Sequence, residues 1–107
     1  MEFLNKIEVQ GVVGNTHTQV IGSTRSVRFS LLTEEVYKSS DGTPVVESTW
    51  FNCTAFEGEA IKDTSIVVKG AWLHITGRLK VIRYTDASSR NISIYEVICK
   101  TIEKIEE

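Results

Sequence analysis

The sequence is poor in several things at once: one proline, two cysteines, two histidines, and no apolar run longer than a few residues. Runs that short exclude a membrane-spanning helix. The opening "MEFLNKIEVQ" has no basic start followed by an apolar stretch, so no secretory signal is expected. Cys53 and Cys99 lie far apart, outside any C-x-x-C or Cys/His spacing, and in a chain without a secretion signal they read as buried free thiols. His17 and His74 have no carboxylate or cysteine at useful spacing, and neither cysteine has an obvious base. No glycine-rich stretch pairs with a lysine as a phosphate loop requires, and no metal-ligand cluster is present. These absences exclude an enzyme, a cofactor and a metal. A net charge of −2 also argues against a generic polyanion binder, because such domains are usually basic.

What is there is ordinary globular material. At 107 residues, 41% apolar and 24% charged, the chain reads as one small cytoplasmic domain spanning residues 1–107. Its charge is uneven. From Lys62 to Tyr84 five bases (Lys62, Lys69, Arg78, Lys80, Arg83) face one acid, Asp63. From Ser39 to Ile61 there are four acids and no base, and the last five residues, "EKIEE", are mostly acidic. Such asymmetry suits one basic face.

The hydrophobic pattern has a period of two. "NKIEVQGVVGN" sets Ile7, Val9, Gly11 and Val13 against Lys6, Glu8 and Gln10, a first strand whose central glycine suggests a bulge or sharp bend. "NTHTQVIGSTRS" is rich in turn formers, with Gly22 as the reversal. In "SVRFSLLTEEVY", Val27, Phe29 and Leu31 point inward and Arg28, Ser30 and Leu32 outward. "KSSDGTP" holds Asp-Gly and the only proline, and reads as a long hairpin tip. "GEAIKDTS" is the one stretch with a helical look, about two turns. "AWLHITGRLKVIRY" puts Leu73, Ile75, Gly77, Leu79 and Val81 on one face, and Trp72, His74, Thr76, Arg78, Lys80, Ile82 and Tyr84 on the other. "TDASSRN" is a second hairpin tip, and "ISIYEVICKTIEKI" returns as the last strand.

"STWFNCTAF" departs from the pattern. Thr49, Phe51, Cys53 and Ala55 make a usual core face, yet Trp50 and Phe56 stand among Ser48, Asn52 and Thr54 on the wetter side. Two aromatics there are either platforms for planar ligands or filling for a patch under a loop or subunit.

Five strands with glycines at bending points and one short helix between the third and fourth imply a barrel, because curling removes exposed edges. The expected fold is an all-β, five-stranded OB-fold Greek-key barrel. A β-sandwich would need seven strands, which are hard to find.

In order and at these spacings, the motifs resemble the bacterial single-stranded DNA-binding proteins nearly end to end. "NKIEVQGVVGN" is similar to N-K-x-x-L-x-G-x-L-G, "STWFNCTAF" to T-E-W-H-x-x-V-x-F, "VKGAWLHITGRLKVIRYTD" to K-G-x-x-V-x-V-E-G-R-L-x-x-R-x-W-x-D, and "EVICKTIEKIE" to the family's final strand. The resemblance implies base-stacking aromatics at Tyr37, Trp50, Phe56 and Tyr84, with Lys69, Lys80 and Arg83 at positions that are basic in the family. It implies a homo-oligomer, a tetramer rather than a dimer, with Phe51 near the subunit contact and Trp72 and His74 near the contact between dimers. It also implies bacterial, nucleoid-associated work in DNA replication, recombination or repair. Phe51 replaces a usual histidine, Gly58 a common lysine and Ile82 a frequent arginine, which lowers the positive charge of the groove. The sequence ends without a glycine- and glutamine-rich linker or acidic tip, so tail-mediated replisome partners are not expected.

The residues themselves suit that chemistry. Binding single strands without sequence choice needs π-faces for bases, worth about 1–3 kcal/mol each, and a cationic track for phosphates. Arg78 and Lys80 share a face with Tyr84, and Arg28 has the parity to join them. Each cation alone reads as a solvated strand surface. Trp72 could by parity stack a base, but an oligomer contact is the preferred reading. Two rivals remain open: a primosome-type accessory protein of the same fold, and an OB-fold protein-interaction module that buries Trp50, Phe56 and Trp72 against a partner.

Overall fold

The computed structural model describes residues 1–106; Glu107, the last of the acidic closing stretch, lies outside the described residues. Five strands follow one another: β1 (Ile7–Ile21), β2 (Thr24–Lys38), β3 (Pro44–Phe56), β4 (Trp72–Thr85) and β5 (Asn91–Lys104). They close into a barrel in the order β1-β2-β3-β5-β4, the OB-fold connectivity. All contacts between neighbours are antiparallel except β3–β5, a parallel seam of two residue pairs, Cys53↔Val97 and Thr54↔Ile98.

The alternation expected from the sequence carries the core. Val27, Phe29 and Leu31 of β2 are buried together with Val13, Cys53, Ala55, Leu73, Ile75 and Val97. Leu31, Leu73 and Ile75 are fully enclosed, each contributing about 1.5–3 kcal/mol of burial. Cys53 and Cys99 are buried free thiols, as their spacing implies. The neighbouring Cys99 thiol and burial push the Cys53 thiol well up, so Cys53 stays protonated at neutral pH.

Two glycines allow the barrel to curl. A Cβ on Gly11 would lie 1.9 Å from the Leu32 carbonyl oxygen, where β1 leaves β4 to follow β2. A Cβ on Gly77 would lie 2.1 Å from the Ile98 carbonyl oxygen, at the register shift between β4 and β5. The bulge in β1 sits between Val13 and Thr16, not at the central Gly11, and it reverses which residues of the distal strand face inward.

The stretch after this bulge is strand rather than loop. β1 and β2 pair out to Ile21↔Thr24 around Gly22, whose φ of 61° makes the reversal. At 15 residues, β1 and β2 each span about 50 Å, so their hairpins project beyond the barrel. The tip after β2 closes through Ser39 N–H to the Thr43 carbonyl at 2.9 Å, with Gly42 at φ 84°. The tip after β4 closes through Asp86 N–H to the Arg90 carbonyl at 3.0 Å. Asp86 also accepts from Arg90 N and Nε.

The expected helix at "GEAIKDTS" does not form. Glu57 Oε2 accepts from Thr64 Oγ1 at 2.7 Å and from Thr64 N at 3.2 Å, while Asp63 Oδ1 accepts from Ser65 N at 2.9 Å. These side chains satisfy backbone donors locally and so compete with a helical ladder. The segment instead lays Ile61, Thr64 and Val67 over the barrel as a buried lining.

Candidate nucleic-acid interface

Both aromatics of β3 stand on the outer face, Trp50 57% and Phe56 52% exposed, six residues and roughly 20 Å apart along the strand. Between them Asn52 is exposed, whereas Thr54 is buried. Trp50 does not wave free. A Cβ on Gly14 of β1 would meet its Cζ3 at 2.7 Å, so the six-membered ring of the indole lies against a glycine two strands away. One face of the ring is supported while much of its area remains wet.

Cross-strand register arranges this face into rows. Trp50 opposes Leu32, Leu32 opposes Val12, and Val12 opposes Trp72, giving one apolar row across β3, β2, β1 and β4 with a tryptophan at each end. A second row runs His17–Arg28–Thr54–Ile98–Arg78 across all five strands. Arg28 and Arg78 are thus on the outer face, on the rows between Trp50 and Phe56 or beyond the seam. Lys80 follows on β4, opposed by Glu96, and Tyr84 is opposed by Ile92. The β4–β5 hairpin forms the far wall of a groove of about 460 Å³, in which Arg28, Asn52 and Thr54 face Ile82, Ile94 and Glu96. Beside Phe56 a larger cavity of about 800 Å³ includes Lys6, Arg78 and Lys100 in its lining, along with Glu57 and Glu59. Hydrogen bonds from Thr64 hold the Glu57 carboxyl below its ordinary range, so it stays ionised there.

Other candidates fall elsewhere. Tyr37 is exposed, but its parity and its partner Val45 put it on the opposite face of the β2–β3 ribbon from Trp50 and Phe56. Arg83, opposed by Ser93, has the parity of Val81 and so lies across the β4–β5 ribbon from Tyr84. Lys69 is exposed in the turn before Gly70, whose N–H donates to the Val13 carbonyl, placing it beside β1 near Trp72.

Among the oligomer candidates, Phe51 is half-buried and packs against the barrel's own core. Trp72 is 39% exposed at the end of the apolar row. The half-buried His74 donates from Nε2 to Glu8 Oε2 at 2.7 Å, locking β1 to β4 on the same face.

Tyr95, absent from the candidates the sequence offers, is 57% exposed. Its parity matches Val97 and Cys99, which are core residues, and that match hid it. It lies where β5 has run past the seam with β3, so no opposite wall covers it.

A closed β1-β2-β3-β5-β4 barrel is an OB-fold, and this one carries exposed aromatics and arginines on one outer face. The match to the single-strand binding protein family covers residues 4–105, and the chain belongs to that family. It is 26% identical over 114 residues to a zebrafish (Danio rerio) protein named as a mitochondrial single-stranded DNA-binding protein, covering 97% of this chain and 77% of that one. Among solved structures, a Plasmodium falciparum single-strand binding protein in complex with single-stranded DNA has a similar fold: TM-score 0.79 at 19% identity, over 99% of this chain and 98% of that one. A deletion mutant of the single-stranded DNA-binding protein from Thermus aquaticus also reaches 0.79, at 14% identity over 96% of this chain and 51% of that one. Family membership makes this a single-stranded DNA-binding protein, with replication, recombination and repair as the family's general setting.

Proposed function

We propose that single-stranded DNA runs over the outer face of the barrel in extended form, without sequence choice. The observation that carries this is the disposition of β3: Trp50 and Phe56 exposed on one face, with Arg28 cross-strand from the residue between them. Bases stack on Trp50 and Phe56, and phosphates follow Arg28, Arg78 and Lys80. Tyr84 extends the surface along β4. Tyr37 and Arg83 lie off this face, with Lys69 at its Trp72 end, and the three serve a strand that wraps around the barrel.

The protein works as a homo-oligomer, a tetramer before a dimer, in this reading. Its support is the apolar row ending at Trp72 beside the Glu8–His74 pair, a surface with the aromatic and apolar character of an interface. The compartment we read as the bacterial cytoplasm, at the nucleoid, rests on the amino-acid sequence.

Titration with oligo(dT) at low salt, followed by tryptophan fluorescence, tests the reading. Quenching reversed by salt supports it, and its absence favours a protein-interaction module. Trp50→Ala should weaken binding by about 1–3 kcal/mol with oligomer mass unchanged by light scattering. Loss of the oligomer instead would place Trp50 in the subunit interface.

A further inference from the structure

β3 and β5 touch only at their two-pair seam, and beyond it they part. Residues Thr49–Asn52 on one side and Ser93–Glu96 on the other pair only with their hairpin partners, so both strands present a free edge to the gap. The gap is a cleft of about 570 Å³, within the usual size of small-ligand sites, and its margins carry Thr49, Trp50, Asn52, Ser93, Ile94 and Tyr95. No charged side chain lines it, whereas the groove that shares Asn52 and Ile94 with it also holds Arg28 and Glu96. Trp50 and Tyr95 are each 57% exposed.

From this we infer that the cleft is a subsite for one nucleobase of the bound strand, with Tyr95 as a stacking platform additional to those on the outer face. The inference rests on the single-strand reading above. An uncharged slot margined by two π-faces takes the aromatic part of a nucleotide and leaves its phosphate outside, where Arg28 stands in the adjoining groove. The Asn52 amide, the Thr49 and Ser93 hydroxyls and the free strand edges supply donors and acceptors for the base's polar rim. A partner β-strand could also add to one free edge. It would use the backbone of that edge and leave the two aromatic margins without a purpose, so a base is the better occupant.

Photocrosslinking separates these outcomes. An oligo(dT) carrying 5-iododeoxyuridine is bound, irradiated and digested with trypsin. Tyr95 is the only aromatic of the tryptic peptide Asn91–Lys100, and Trp50 and Phe56 fall together in Ser39–Lys62. Adduct on both peptides is expected. Tyr95→Ala should weaken oligo(dT) binding about 5- to 150-fold, the loss of one stack, with melting temperature and oligomer mass unchanged. Tyr95→Phe should stay within about twofold, because it keeps the π-face. Adduct confined to Ser39–Lys62, with Tyr95→Ala binding like wild type, overturns the subsite while DNA binding stands. A change of oligomer mass in Tyr95→Ala overturns it in favour of a strand-addition interface. If the wild type shows no salt-sensitive binding at all, the wider reading fails first, and the subsite with it.

Discussion

The indole of Trp50 lies against the α-carbon of Gly14, so close that a single methyl group there would meet Cζ3 at 2.7 Å and Ser30 Oγ at 2.6 Å. Glycine at this bulge therefore positions a side chain two strands away. Gly14→Ala should tilt the indole off β1, shifting its emission before any ligand is added. Oligo(dT) affinity should fall by about 1 kcal/mol or more, part of the value of one stack. Stopped at unchanged emission and affinity, the variant would show that Trp50 does not depend on this seat.

Charge on the β4–β5 wall is mixed, since Lys80 is opposed by Glu96 and both stand near the groove. Removing the acid should help the ligand. Glu96→Gln is expected to raise oligo(dT) affinity at low salt and Arg78→Ala to lower it, the latter flattening the slope of log K against log salt by about 0.7. Fluorescence titrations across a salt series measure both.

Gly77 has no room for a side chain, because its Cβ would lie 2.1 Å from a backbone oxygen of β5 that cannot swing away. Gly77→Ala should destabilise the fold by about 3 kcal/mol. Gly58, with nothing within 4 Å of its Cβ position and no left-handed φ, should tolerate the same change with little effect. Urea unfolding of the two variants side by side checks the contrast.

Acid should loosen the loops before the barrel. Asp41 accepts from the Ser39 hydroxyl and from Thr43 N, which brings its pKa from 3.8 down to about 2. Thr64 lowers Glu57 and Ser65 lowers Asp63 in the same way. A depressed carboxylate pKa stabilises the folded form fully above its unfolded value, and that contribution is lost as pH falls through the folded one. Melting temperature should therefore drop between about pH 4 and pH 2 more steeply in wild type than in Asp41→Asn. Parallel curves would leave Asp41 without a part in acid sensitivity.

How far the fold could be read from the residues depended on where each strand lies. Inside the barrel, parity alone placed Val27, Phe29, Leu31, Leu73 and Ile75 correctly, because an opposite wall exists to cover them. Past the barrel's rim the same parity still names a side but no longer implies burial, and this is why Tyr95 escaped notice. It also explains Tyr37, grouped with Trp50 by resemblance yet set on the other side of the ribbon by register. The Gly58–Ser65 stretch has a helical look because Glu59, Ala60 and Lys62 are good helix formers and no proline interrupts them. The carboxylates of Glu57 and Asp63 took up the backbone donors that a helix would have used. Trp50 and Phe56 were legible from the start, since two aromatics among Ser48, Asn52 and Thr54 conflict with any plain core face. The row that joins Trp50 to Trp72 is not legible in the sequence, because only register reveals it.

The seam at Cys53↔Val97 and Thr54↔Ile98 joins residues far apart in the chain with only two rungs, while every other join is a long antiparallel ladder. The circle of the barrel is thus held shut by its weakest link. Breaking it would cost little hydrogen bonding and would leave one open five-stranded sheet, β3–β2–β1–β4–β5, with every antiparallel ladder intact. Amide exchange around Thr54 and Ile98 should then report a sub-global opening, faster than exchange in the middle of the β2–β3 ladder. The molecule is built to breathe along one line, like a clasp rather than a tube.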